Sequence, residues 1–183
     1  QKFQIKDVVF LAIMSAVALA TCAVMPLVIS LQPLIFGISQ LVTALQIGVF
    51  FAIGLYKVRK PGSLLIMALM MGLIQLMMSP PMFLSSVLNG VLIELIVLLL
   101  FRGYEKDAAV FCAAMLHTPL SLPFNYLYNR LIKGADSPLA AVADRAPLAA
   151  VGMTLAVVAV SALGALIGIK IARELKKSGV LKK

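Results

Sequence analysis

The chain reads as an all-α membrane protein: a bundle of six transmembrane helices with the N and C termini cytoplasmic. Three observations carry that reading. Hydrophobic residues make up 62% of the 183 and charged residues only 13%, with a mean hydropathy of +1.07; a soluble domain carries about 25% charge. The apolar residues gather into runs close to the roughly 20 residues that a helix needs to cross a bilayer core. Lys and Arg fall mostly on one side of those runs.

Taken in order, the runs predict helices over 7–29, 38–56, 62–78, 82–101, 107–128 and 147–171. The first is too long for the apolar region of a cleaved signal, and no A-x-A-like site ends it, so it is expected to remain as helix 1. The second begins at Ile38 or earlier, because 31–36 is also apolar. The third is short, and Pro80-Pro81 breaks the helix after it. With no separate polar stretch, 1–183 is expected to form one domain. Thirteen of the sixteen basic residues, from Lys2 and Lys6 through Lys57, Arg59 and Lys60 to Lys182 and Lys183 in the tail, share one side, which is then cytoplasmic. Only Arg130, Lys133 and Arg145 fall on the other, partly offset by Asp136 and Asp144.

The net charge of +9 sits at segment ends rather than in a basic stripe with interleaved aromatics, so no nucleic-acid partner is expected. Cys22 and Cys112 lie inside apolar runs without metal-ligand spacing, and the chain has a single His; neither a metal nor another cofactor is expected. There is no Walker loop, G-x-S-x-G, H-E-x-x-H or paired carboxylate, hence no catalytic residues.

What remains is polar residues at membrane depth, which face a cavity or another helix because lipid does not solvate them. Gln40 and Thr43 in the second segment, Gln75 in the third, Ser85, Ser86 and Asn89 in the fourth, and Thr118, Ser121, Asn125 and Tyr126 in the fifth reach similar depth on the external side. This convergence suits a pocket for a small molecule with hydrogen-bonding groups; the plainer alternative is pairwise bonding between helices. The fifth segment also carries His117, and Pro119 and Pro123 should kink or unwind it, freeing carbonyls that line a cavity. Glu94 is the one acid well inside a span: it sits at the pocket floor, pairs with His117, or bonds a neighbouring helix. The candidate ligand-binding set is Gln40, Gln75, Asn89, Glu94, His117, Asn125 and Tyr126, with Phe36, Phe83, Phe124, Tyr126 and Tyr128 available to stack. With Glu94 the sole charge in reach, a neutral or weakly cationic ligand is expected. Ala12, Ala16 and Ala20 stack on one face of helix 1 and let another helix approach closely, either in the bundle or from a partner. A second small-residue row, Gly164, Gly168 and Ala172, reads as packing within the bundle.

With these features, the opening Gln4-Ile5-Lys6-Asp7-Val8-Val9 and the Arg59-Lys60-Pro61-Gly62 turn resemble substrate-binding S components of energy-coupling factor (ECF) transporters, specifically the branch assigned to thiamine or its hydroxymethylpyrimidine precursor. Ile93-Glu94-Leu95-Ile96 and the Lys176-Lys177-Ser178-Gly179-Val180 tail resemble a different, uncharacterised bacterial branch of S components. The resemblance implies a multi-pass protein of the bacterial inner membrane that captures a vitamin or related micronutrient from outside for ATP-driven import. It implies a transmembrane T component and two cytoplasmic ATPase subunits as partners, with Ala12, Ala16 and Ala20 as the docking face and membrane lipid around the rest. The rival readings are a membrane-embedded enzyme, for which only Glu94 with His117 would serve as acid and base, and a structural subunit of a larger complex.

Overall fold

The computed structural model describes residues 2–134 and 137–181; Asp136, Lys182 and Lys183 lie outside them. Among the described residues the chain forms eight helices and no strand: α1 (Ile5–Thr21), α2 (Met25–Ile29), α3 (Ile38–Val58), α4 (Ser63–Leu76), α5 (Pro80–Phe101), α6 (Asp107–Ile132), α7 (Pro138–Arg145) and α8 (Pro147–Lys177). By length and composition α3, α5 and α8 are long and apolar enough to cross a membrane.

The boundaries depart from the sequence expectation where proline acts. The expected first segment divides into α1 and α2, because Pro26 has no N–H to continue the ladder back to Cys22. Helix α5 starts at Pro80, not at Met82. A helix's first turn has no use for the missing N–H, so proline opens a helix as well as it ends one, and α7 and α8 begin the same way. Helix α6 runs unbroken through Pro119 and Pro123, against the expected unwinding. Pro119 removes the donor to Met115 O, and the Ser161 hydroxyl of α8 donates to that carbonyl at 2.8 Å instead. A neighbouring helix has taken over the lost bond, which is how membrane helices tolerate proline.

Helix α3 is the centre, packed against α1, α4, α6 and α8. Its crossing with α8 is made by glycines. A Cβ on Gly164 would stand 2.5 Å from the Leu45 carbonyl oxygen, and one on Gly48 2.9 Å from that of Ser161. The two backbones touch, and dispersion between them replaces the hydrophobic drive that lipid does not supply. The core inside the bundle is built on Leu11, Phe51, Leu55, Leu64, Met67, Ile93 and Val97. The outside is studded with exposed Leu, Ile and Val, among them Leu99, Leu155 and Leu163.

One end of the bundle is tied by charge. The Gln4–Asp7 capping box opens α1, and Lys60 Nζ reaches Asp7 Oδ2 at 2.6 Å. Arg59 pairs with Asp107, which also accepts from Arg173 of α8 at 2.6 Å. The Arg59-Lys60-Pro61-Gly62 turn is thus a clasp over four helices. Its Gly62 has φ +90°, a left-handed conformation that side chains other than glycine resist.

Candidate functional site

A cavity of about 620 Å³ opens at the end opposite this clasp, between α2, α3, α4, α5, α6 and α7. Its deepest polar residues are Asn89 on α5 and His117 and Thr118 on α6, each buried to within 1–3% of full coverage. The amide oxygen and nitrogen of Asn89, both ring nitrogens of His117 and the Thr118 hydroxyl have no hydrogen-bond partner among the described residues. His117 is held instead by its face, stacked at 4.4 Å on the Phe51 ring of the core. Burying such a group unpaired costs about 1–3 kcal/mol, so the floor offers donors and acceptors that are free to bond a molecule entering the cavity.

Higher up, the walls are better organised. Gln32 donates to Ser39, whose hydroxyl donates to Gln40 Oε1 at 2.8 Å. Gln75, Ser85, Ser86 and Asn125 also face the cavity. Near the mouth, Asn129 donates to the Asn125 carbonyl at 2.8 Å and accepts from the Ser137 hydroxyl at 2.9 Å, which fixes the entry to α7. Lys133 lines the rim.

Five residues singled out from the sequence meet here: Gln40, Gln75, Asn89, His117 and Asn125. Two do not. Tyr126 points away and donates to Asp144 at 2.7 Å, helping Arg130 hold α7. The helical repeat of about 100° per residue puts Tyr128, two residues on, about 200° round the helix, and Tyr128 takes the place at the cavity. Of the other aromatics proposed to stack, Phe36 packs with Ala44, Leu122 and Val157 instead, and neither Phe83 nor Phe124 lines the site.

Glu94 is at neither the floor nor His117. Its carboxylate accepts the Gly62 N–H at 2.6 Å and the Tyr104 hydroxyl at 2.9 Å, at the clasped end. Helix α4 is eight residues shorter than α5, so its N-terminus meets α5 well above the latter's end. The unpaired N–H groups there need an acceptor, and the helix dipole favours an anion. Burial, and then the adjacent carboxylate, push the Tyr104 phenol far above its ordinary pKa, keeping it a donor. Both Glu94 oxygens are taken, and the Glu94–His117 pair that an enzyme reading requires is not formed.

Thr118, Ser121, Asn125 and Asn129 all line the cavity. Their spacing of three, four and four is one face of a helix. Following that stripe one step past Tyr128 would have found Asn129 from the sequence.

The small-residue row of α1 behaves differently. Leu11, Ser15 and Ala18 turn inward, and Ser15 donates to the Met67 carbonyl at 3.1 Å. Ala16 and Ala20 are exposed and Ala12 is half-buried, so the row faces away from the bundle.

Comparison with solved structures finds the same architecture in a protein titled "Crystal structure of an S-component of ECF transporter", with a TM-score of 0.66, 21% sequence identity, and coverage of 98% of this chain and 89% of that one. At that identity the likeness speaks for the fold. No curated protein sequence matches. A family model described as "Hypothetical bacterial integral membrane protein (Trep_Strep)" matches residues 5–177. The chain therefore belongs to the Trep_Strep family of bacterial integral membrane proteins, and it is a multi-pass membrane protein with the fold of a transporter S component.

Proposed function

We propose that this protein is the substrate-specific binding subunit of an ECF-type importer, capturing a vitamin or related micronutrient for ATP-driven uptake with a T component and two ATPase subunits. The observation that carries this reading is the cavity floor: buried, unpartnered Asn89, His117 and Thr118 at the base of a space of about 620 Å³. Small-molecule pockets run from about 300 to 1,000 Å³ and hold few, well-placed polar groups. The shared fold points the same way, as does the outward Ala12, Ala16, Ala20 face, which suits close approach of a partner helix.

In this reading the chain is a single domain spanning the membrane six times, by α1 with α2, α3, α4, α5, α6 and α8, with both termini and the clasped end cytoplasmic. The cavity then opens outward. Moving Glu94 away changes the ligand expected. Among the described residues no carboxylate lines the cavity, and Lys133 brings the lone formal charge. The ligand is neutral where it meets the floor, and any charge it carries at the mouth is negative. The neutral hydroxymethylpyrimidine precursor fits that rule, whereas cationic thiamine would lack a counter-charge.

The test is co-expression with a T component and its ATPases, followed by purification and native mass spectrometry. A stable four-protein complex, with a small molecule released on denaturation, is the expected result. Purification without ATPase subunits, together with no uptake in cells that express all four proteins, would refute the assignment.

A further inference from the structure

The clasped end carries a second concavity that the import reading does not use. It is a groove between α6 and α8 of about 620 Å³, lined by Asp107, Phe111, Leu166, Ile169, Lys170, Arg173, Glu174 and Lys177 among others. Its chemistry divides along its length. Phe111, Leu166 and Ile169 form the part nearer the middle of the bundle, and Leu163 and Ile167 beside it are exposed to the surroundings of the helix. Lys170, Arg173 and Lys177 follow at three- and four-residue spacing on the same face of α8, toward its end. An apolar stretch leading into a row of cations has the profile of a phospholipid, acyl chain below and phosphate above.

The charge balance selects the sign of the headgroup. Two acids are present: Asp107, bonded by Arg173 at 2.6 Å and by Arg59, and Glu174, bonded by Lys177 at 2.7 Å. The three cations of the groove, with Arg59 of the α3–α4 turn also on Asp107, therefore outnumber two carboxylates, and Lys170 pairs with no acid among the described residues. Arg173 and Lys177 remain more than half exposed, with donors to spare. A zwitterionic headgroup would leave this excess unanswered, while an anionic one answers it; basic pockets between membrane helices commonly bind such lipids.

We propose that the α6–α8 groove is a binding site for an anionic phospholipid, its phosphate held by Lys170, Arg173 and Lys177 and an acyl chain laid along Phe111, Leu166 and Ile169. The inference is independent of what the opposite cavity binds. Its test is native mass spectrometry of the full chain in detergent, titrated with phosphatidylglycerol or phosphatidylcholine of identical chains. Wild type should take up phosphatidylglycerol first, and the double variant Lys170→Gln/Lys177→Gln should lose about fivefold in affinity for each cation removed. The control Lys6→Gln/Lys176→Gln removes as much charge from the same end without touching the groove, and it should retain the preference. Equal uptake of the two lipids by wild type would overturn the site, as would an unchanged groove variant or an equal loss in the control. Blockade of lipid uptake by inorganic phosphate alone would mean a free-anion site instead, and dimers in place of lipid adducts would mean a protein interface. A groove variant whose melting temperature in phosphatidylcholine matches wild type excludes misfolding as the cause.

Discussion

Asn89 is 1% exposed, and its side-chain amide bonds to nothing among the described residues. An amide without a protein partner at the base of this cavity is free to bond an occupant, and losing such a bond costs about 1–3 kcal/mol. Asn89→Ala loses no protein hydrogen bond, so it should leave the ligand-free protein at least as stable as wild type while weakening ligand binding about 5- to 150-fold, the equivalent of 1–3 kcal/mol. Calorimetry on the purified variant with the molecule recovered from wild type measures both quantities. Unchanged affinity for Asn89→Ala and for Asn125→Ala would move the site out of this cavity. Glu94 should behave in the opposite way. Glu94→Ala strands the Gly62 N–H and the Tyr104 hydroxyl and should lower stability by about 1–3 kcal/mol, with ligand affinity unchanged; the melting temperature and the same titration decide it. Residue depth was readable from the sequence because neutral polar groups recur at one level in four apolar runs. The Glu94 partner was not. That assignment needs the relative lengths of α4 and α5, and those depend on helix ends that hydropathy blurs by several residues. The direction of Tyr126 was lost for a related reason: within one turn, depth is nearly constant while facing changes by about 100° per residue.

Helices in this protein are distinguished by what their small residues do. Gly164 and Gly168 on α8 admit the backbone of α3, whereas Ala16 and Ala20 on α1 are left exposed by the described residues. Two rows with the same spacing thus lead to opposite expectations. Gly164→Leu should abolish folded protein, because overpacking a backbone contact costs well over the 1–3 kcal/mol of an ordinary core insertion; recovery of monodisperse protein after detergent extraction measures it. Ala16→Trp should purify normally and bind ligand with wild-type affinity, yet abolish uptake in cells that carry the T component and ATPases. Normal transport by Ala16→Trp would remove this face from coupling. The sequence distinguishes the rows only through context. Leu11, Ser15 and Ala18 supply a competing inward face for α1, while α8 has no better inward face than its glycines. Helices were legible in the long apolar runs, since such runs in lipid leave the backbone few other ways to satisfy its N–H and C=O groups. The small helix α7 was not legible, because its eight residues include Asp144 and Arg145 and its apolar run is only 139–143.

Across the whole molecule, two ends carry two kinds of chemistry. The clasped end holds the basic residues in ion pairs that bridge α1, the α3–α4 turn, α6 and α8. The other holds neutral polar groups around an open cavity, with α7 pinned beside it by the Arg130–Asp144 pair. Lys and Arg in short loops beside membrane segments stay on the cytoplasmic side because they resist translocation, so the proposed reading puts the clasped end in the cytoplasm and the cavity mouth outside. Ala146, between α7 and α8, and Ser178, after α8, are both exposed and mark the two ends. Ser137 would be a poor marker, since it is buried and bonded to Asn129. In a Cys22→Ala/Cys112→Ala background, needed because Cys22 itself lines the cavity, Ala146→Cys should be modified by a membrane-impermeant maleimide on intact cells. Ser178→Cys should react only after the membrane is opened. The reverse pattern would place the cavity mouth in the cytoplasm, where a high-affinity site would capture molecules already imported, and the uptake reading would fall with it.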